Sequence, residues 1–169
     1  PTIPTITTTA TTQITATTAV IEGNVTNEGN AIVTERGVVY STSSNPTLSN
    51  SKVQSGSGAG GFSCKLSALK YATTYYARSY AVNEVGVAYG EEVSFTTLAI
   101  LPTMGTSFVS DITSSSATIS SSVTSDGGAT VTERGLVYST SSNPTTSNSK
   151  IVSGSGLGEF KCTIKSLSY

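Results

Sequence analysis

Histidine and tryptophan are both absent from this chain of 169 residues, and only 11% of its residues are charged. The lack of histidine removes the usual general base near neutral pH and the commonest metal ligand. Nine lysines and arginines against ten acidic residues leave no basic excess for binding nucleic acid or an anionic membrane. No apolar run approaches the ~20 residues of a membrane span. The sequence therefore argues against an enzyme, a metal or other cofactor, a nucleic-acid partner and membrane insertion.

Threonine, serine, glycine and valine dominate what is present. Threonine and valine have stiff, branched side chains that favour the pleated sheet over the helix. Alternating segments separated by Gly, Asn and Pro turns predict about seven short strands in the first half of the chain. We predict these strands at residues 5–12, 19–25, 32–41, 52–55, 62–66, 74–83 and 91–97. Such a pattern indicates an all-β sandwich.

The chain repeats itself when it is shifted by about 98 residues. The segment TERG at residues 34–37 returns at 132–135, YSTSSNPT at 40–47 returns at 138–145, and SGSG at 55–58 returns at 153–156. The final match pairs Tyr71 with Tyr169, so the second copy lacks counterparts of residues 72–98. This period is typical of an array of domains. We predict one repeat over residues 1–99 and a second, truncated repeat over 100–169.

Residues 69–86 carry the pattern L-x-Y-x-T-x-Y-x-A-R-S-x-A-x-N-x-x-G, which resembles the sixth strand of fibronectin type III domains. That resemblance implies tandem fibronectin type III or immunoglobulin-like sandwiches. It also implies a tyrosine corner at Tyr75, with a buried ring and a hydroxyl bonded to nearby backbone. Tyr71 stands where the family usually has proline, and the family's core tryptophan is absent. The segment at 34–46 looks like the tandem variant found in surface and secreted proteins of the Bacteroidota.

The resemblance implies a function as well as a fold. It predicts a non-catalytic, extracellular or cell-surface repeat that serves as spacer, stalk or adhesion module. Its partners would be other domains of the same or neighbouring chains, glycans or host surface proteins. A structural component of a filament or virion is a further alternative. No signal peptide opens the chain, so we expect that any export signal was removed or lies upstream.

Three other patterns have structural interpretations. The letters G-x-G-x-x-G at 56–61 match a dinucleotide fingerprint, but an alternating strand follows, so a loop is predicted. Cys64 and Cys162 lie between inward-facing residues of equivalent strands and are expected to be buried free thiols, with a cross-chain bridge or a reactive thiol as alternatives. The recurring Glu-Arg dipeptide, at 35–36 and 133–134, suits a structural charge pair.

The most specific functional candidate is an exposed stripe on the strand at 74–83. If Tyr75 points inward, then Tyr76, Arg78 and Tyr80 point outward, and we expect Tyr40 or Arg36 to join them from the adjacent strand. Tyrosine and arginine are enriched on recognition surfaces, and tyrosine rings stack on sugars. This predicts a face that binds glycan or protein. The alternative is a cross-strand ladder that shields the sheet.

Two expectations concern how the copies are joined and completed. The boundary at 98–102 is short and apolar, so its side chains are predicted to pack between the copies. Without the counterpart of the strand at 74–83, the core formed by Phe160, Cys162 and Ile164 is expected to be exposed beside an unpaired sheet edge. We therefore expect the natural chain to continue, or a neighbouring chain to supply strands.

Overall fold

The computed structural model describes residues 1–167 and contains two compact units, Pro1–Ala99 and Ile100–Tyr169. Their regular elements are all β-strands, which confirms the predicted all-β sandwich fold. Over the described residues, no helix has the length and apolarity to cross a membrane. The predicted match of Tyr71 to Tyr169 lies outside the described residues.

Unit 1 is a sandwich of two antiparallel sheets. Its strands are β1 Thr5–Thr12, β2 Ala19–Asn27, β3 Glu35–Ser41, β4 Ser51–Gln54, β5 Gly60–Leu66, β6 Thr74–Val82, β7 Val87–Tyr89 and β8 Val93–Thr96. One sheet has the order β1-β2-β5, and the other has the order β4-β3-β6-β7 with β8 also beside β6. Strand β6 thus pairs with β3 along one edge, and β7 and β8 share its other edge.

The alternation in the sequence places the core of unit 1. In β2, Ala19, Ile21 and Val25 are buried, and the register aligns Ile21 with Cys64 of β5. The core cluster they join consists of Ala19, Ile21, Val38, Cys64, Leu66, Leu69, Tyr75, Ala77 and Phe95. The tyrosine corner is confirmed, because the buried Tyr75 accepts a 3.0 Å hydrogen bond at its hydroxyl from the backbone N–H of Lys70.

Six of the seven predicted strands of unit 1 differ by one to three residues at one or both ends, and the strand at 5–12 matches the structure at both ends. The strand predicted from residue 32 begins at Glu35, and the carbonyl of Val33 before it accepts a hydrogen bond from the N–H of Gly58. The strand predicted from residue 91 begins at Val93, and β7 was not predicted. Gly90 separates β7 from β8, where a Cβ atom would lie 2.6 Å from the backbone nitrogen of Thr8.

Unit 2 has six strands in its described part, and they correspond to the first five strands of unit 1. They are β9 Thr103–Met104, β10 Phe108–Ser110, β11 Ser116–Ser125, β12 Gly135–Tyr138, β13 Ser149–Val152 and β14 Gly158–Lys165. One sheet has the order β10-β11-β14 with β9 also beside β11, and β12 and β13 form the second. The strand β1 of unit 1 corresponds here to β9 and β10 together.

The expected exposure of the unit 2 core is wrong. Phe160, Cys162 and Ile164 are 7%, 2% and 7% exposed, and Phe160 and Cys162 form a core cluster with Val123, Val131 and the half-buried Leu136 and Ile151. The apolar exposure falls on other residues. Val109 and Ile112 are 60% and 72% exposed, and β12 is half-buried throughout.

The boundary segment is anchored on both sides of Ala99. Leu98 donates its N–H to the carbonyl of Thr15 within unit 1, and Ile100 donates to the carbonyl of Gly127 within unit 2. Packing of the side chains at 98–102 between the copies stays a prediction.

Candidate ligand face

The register of β3 and β6 determines which predicted residues share a face. Tyr76, Arg78 and Tyr80 alternate with buried residues and lie on the outer side of the sheet. Directly opposite them on β3 are Ser41, Val39 and Gly37, and cross-strand partners point to the same side.

Tyr40 and Arg36 do not join this face. They align with Ala77 and Ala81, whose side chains are fully buried in the sandwich. Tyr40 packs against the core, 6.3 Å from the ring of Tyr75. The prediction was wrong for both residues, because on a strand they have the opposite parity to the residues that lie beside Tyr76, Arg78 and Tyr80.

Tyr80 lies on the outer side of the sheet but is fully buried, which corrects its predicted exposure. Its ring lies against Gly37, where an added Cβ atom would be 3.0 Å from a ring carbon. Lys52 Nζ lies 5.9 Å from the ring centre, and the hydroxyl donates a 2.6 Å hydrogen bond to Glu35 Oε1. Because Gly37 has no side chain, the ring of Tyr80 can lie against the backbone of the neighbouring strand β3 and is buried there.

Glu35, Lys52 and Tyr80 form one hydrogen-bonded group. Lys52 Nζ lies 2.7 Å from Glu35 Oε1, and this bond, followed by that from Tyr80, lowers the pKa of the Glu35 carboxyl below its usual value. Burial, followed by the bond to Glu35, raises the pKa of the Tyr80 hydroxyl. A carboxylate held ionised beside a phenol held neutral stabilises the sheet and offers no activated nucleophile.

Arg78 is also engaged within the unit. Its Nε donates a 3.0 Å hydrogen bond to the carbonyl of Gly90, and its guanidinium lies 4.8 Å from the ring centre of Tyr89. Tyr76 and Arg78 are both half-buried. Arg78 and Tyr80 thus have the character of a cross-strand ladder. Tyr89 belongs to the same group through its contact with Arg78 and was not predicted from the sequence.

The loop at residues 42–50 covers part of the same side of the sheet. Leu48 donates its N–H to the Tyr89 hydroxyl at 3.0 Å, and Asn45 donates its N–H to a carboxylate oxygen of Glu92. Pro46 is fully buried. The recurrence of Asn-Pro in both copies was the available sequence signal for this loop.

Arg36 instead holds the glycine loop, residues 55–60, against the sandwich. Its Nη1 donates to the carbonyls of Gly58, Ala59 and Gly60 at 3.1, 2.7 and 3.0 Å, and its Nε donates to that of Ser55 at 3.3 Å. The predicted loop at 56–61 is confirmed for residues 56–59, whereas residues 60 and 61 belong to β5. The predicted charge pair within the Glu-Arg dipeptide is wrong, because neighbours on a strand face opposite sides and Glu35 pairs with Lys52.

Unit 2 contains the same arrangement around Arg134. Its Nη1 donates to the carbonyls of Gly156, Leu157 and Gly158, and its Nε donates to that of Ser153. Glu133 pairs with Lys150 at 2.8 Å. The residues that recur most strongly in the sequence therefore perform the same internal bonding twice.

Both cysteines are buried and free, as predicted. Burial raises the pKa of the Cys64 thiol, which lowers its reactivity. Within residues 1–167, no group of three or more acidic, cysteine or histidine side chains is placed to hold a metal ion.

A cleft of about 830 Å³ opens between the loops at one end of unit 1. Asn83 lines it, and its amide nitrogen donates to the carbonyls of Thr2 and Glu28 at 2.7 and 2.9 Å. Its amide oxygen accepts from the N–H groups of Val85 and Gly86. Asn83 thus uses its polar atoms to join loops and has none directed at a ligand.

No family model matches the chain, and no curated protein matches it. Among solved structures, it is similar to the sensor domain of the anti-sigma factor RsgI4 of Pseudobacteroides cellulosolvens, at 25% identity over 57% of this chain and 96% of that chain, with a TM-score of 0.45. It is also similar to a fibronectin type III domain derived from the human KIAA0970 protein, at 19% identity over 55% of this chain and 72% of that chain, with a TM-score of 0.40. These likenesses concern the fold.

Proposed function

We propose that the chain is a non-catalytic spacer repeat of an extracellular or cell-surface protein, whose work is to hold other domains apart under load. The observation that supports this proposal is that the residues repeated most strongly between the two units form hydrogen bonds and ion pairs within each unit. These bonds join strands to each other and to loops. In each unit one arginine binds several carbonyls of the glycine loop. In each unit one glutamate pairs with a lysine of a neighbouring strand, β4 in unit 1 and β13 in unit 2.

The loop after β3 is also built alike in both units. Asn50 accepts a 2.8 Å hydrogen bond from the N–H of Thr47, and Asn148 accepts one of 2.8 Å from the N–H of Thr145. Selection for a shared ligand would instead be expected to preserve exposed side chains. Because the repeated residues bond within each unit, their repetition supports a role in resisting deformation more than a role in binding a ligand.

The alternative of glycan or host-protein recognition is less well supported. Of the five residues predicted for that face, Tyr80 is fully buried, and Tyr40 and Arg36 lie on the other side of the sheet. Arg78 is bonded to the carbonyl of Gly90. Adhesion through this stripe would require these internal contacts to be broken first.

Stretching single molecules of the whole chain between its termini tests the mechanical role. Unit 1, residues 1–99, is expected to unfold in one discrete force peak with a length gain of roughly 30 nm. Arg36→Lys is expected to lower that force, because lysine cannot reproduce the forked contacts of the guanidinium. Arg134→Lys is the matched control and leaves that peak unchanged. Gradual extension of unit 1 without a peak would overturn the proposal.

The extracellular location has its own test. A protease added to intact cells of the source organism is expected to remove the repeat, while an internal marker protein survives. Protection of the repeat until the cells are lysed would contradict an extracellular spacer.

A further inference from the structure

We propose that a cleft of unit 1, lined by Tyr40 at the end of β3 and Tyr75 at the start of β6, binds a neutral hexose residue. The cleft has a volume of about 560 Å³ and lies beside the loop that joins β3 to β4. Its rim consists of Ser41, Thr42, Ser49, Asn50 and Ser51. The predicted stripe of Tyr76, Arg78 and Tyr80 does not line it. This site goes beyond the proposed spacer function, which does not depend on it.

The rim belongs to the segment that is repeated most strictly between the two units. Residues 40–52 and 138–150 differ only at the position of Leu48. In unit 2 the rim residues recur as Ser139, Thr140, Ser147, Asn148 and Ser149. Other exposed positions have changed, as where Lys65 of β5 corresponds to Thr163 of β14. Exposed loop residues that stay the same while other surface positions change indicate a shared ligand.

Internal hydrogen bonds account for only part of this repetition. The side-chain oxygens of Ser41 and Asn50 accept hydrogen bonds from N–H groups of the loop at 3.1 and 2.8 Å. Within residues 1–167, the exposed hydroxyls of Thr42, Ser49 and Ser51 make no hydrogen bond, and neither does the amide nitrogen of Asn50. The rim therefore presents three hydroxyls and an amide donor to a ligand.

The chemistry of the lining indicates which ligand the cleft accepts. None of its seven residues carries a charge, and Lys52, which follows the rim in sequence, is paired with Glu35. A charged ligand would therefore lose hydration without gaining an ion pair. A neutral hexose fits, because its hydroxyls donate and accept hydrogen bonds and its C–H face packs on tyrosine rings.

The cleft is held in shape by the core of unit 1. The ring of Tyr75 is stacked on that of Phe95 at 5.8 Å, and the ring of Tyr40 lies 6.3 Å from that of Tyr75. The loop that carries the rim is anchored by Pro46, which is fully buried. Because these groups are already in place, a ligand does not have to order them on binding.

The test is a nuclear magnetic resonance titration of the whole chain with the methyl glycosides of glucose, galactose and mannose. We expect at least one of them to shift the amide signals of residues 40–51, with a dissociation constant of about 1 mM. The uronic acid of the same sugar is expected to bind at least about tenfold more weakly, since a carboxylate finds no cation in the cleft. No shift by any of the three at about 50 mM, shifts located elsewhere, or equal binding of the uronic acid would overturn the proposal.

Variants of the rim provide a second measurement. The double variant Ser49→Ala with Ser51→Ala is expected to bind the sugar about tenfold more weakly, since two hydrogen-bonding hydroxyls are removed. Ser43→Ala with Ser44→Ala is the matched control, because these hydroxyls are exposed on the same loop but do not line the cleft. Both double variants are expected to melt at the temperature of the wild type, which separates loss of binding from loss of fold. Equal affinity of the two double variants would contradict binding at this rim.

Discussion

The guanidinium carbon of Arg36 lies 5.2 Å from the centre of the Phe62 ring, and Arg134 lies 5.7 Å from that of Phe160. In each unit the arginine therefore stacks on the aromatic residue of one strand while it binds the carbonyls of the loop before that strand. Stacking and forked hydrogen bonding are both specific to arginine, which lysine does not reproduce. The cation thus joins β3, the glycine loop and β5 in one contact.

Arg36→Lys is expected to destabilise unit 1 by about 2 kcal/mol, because several charge-assisted hydrogen bonds to carbonyls are lost. Urea unfolding followed by circular dichroism measures the change. Arg134→Lys, as the control, is expected to shift the transition of unit 2 and to leave that of unit 1 in place. Unchanged stability in Arg36→Lys would mean that the glycine loop holds its shape without the cation.

Tyr75→Phe removes the hydroxyl of the tyrosine corner and leaves the ring. The N–H of Lys70 then loses its 3.0 Å acceptor, and the expected loss of stability is about 1 kcal/mol. Tyr71→Phe is the control, since Tyr71 is 39% exposed and its change is expected to be small. Equal effects of the two substitutions in thermal unfolding would argue against a special role for the corner.

Glu35 makes the stability of unit 1 depend on pH on the acid side. Hydrogen bonds from Lys52, then from Tyr80, lower its pKa in the folded state, below about 4.3 for an unfolded glutamate. Its contribution is therefore present above that value and is lost as the pH falls through the lowered pKa. The stability difference between the wild type and Glu35→Gln is expected to shrink from pH 5 downward. Urea midpoints measured across that range test this, and a constant difference would contradict it.

The two thiols are expected to resist labelling in the native state, since Cys64 and Cys162 are each 2% exposed. We expect Cys162 to react first as urea is added, because the residues packed around it include the half-buried Leu136 and Ile151. Ellman's reagent at pH 8 measures the rates, and Cys64→Ala and Cys162→Ala assign them. Rapid stoichiometric labelling without urea would show that the cores are open.

The sequence contained enough information to predict most strands of unit 1. Alternation in β2 identified Ala19, Ile21 and Val25 as core residues, since one buried face imposes a period of two. The split between β7 and β8 was not predictable, because it depends on the close approach of Thr8 to Gly90 from another strand. Contacts between residues distant in sequence leave no local pattern.

The predicted ligand face likewise depends on contacts between residues that are distant in sequence. Parity along one strand correctly grouped Tyr76, Arg78 and Tyr80, but pairing between strands was needed to place Arg36 and Tyr40. Burial of Tyr80 depends on Gly37 in the next strand, and a single-strand argument treats every outward residue as exposed. The loop at 42–50 covers this side of the sheet through hydrogen bonds to Tyr89 and Glu92. Both residues are far along the chain from the loop, so no local pattern predicts the contact.

In both units the glycine loop is recognised through its backbone, since arginine contacts only carbonyl oxygens there. Its side chains are consequently free to differ, and Ala59 of the first unit becomes the 53% exposed Leu157 of the second. The backbone shape of this loop can thus stay the same while its exposed side chains change from one unit to the next. An array of such units can present a different side chain at the same place in every copy without altering the scaffold beneath it.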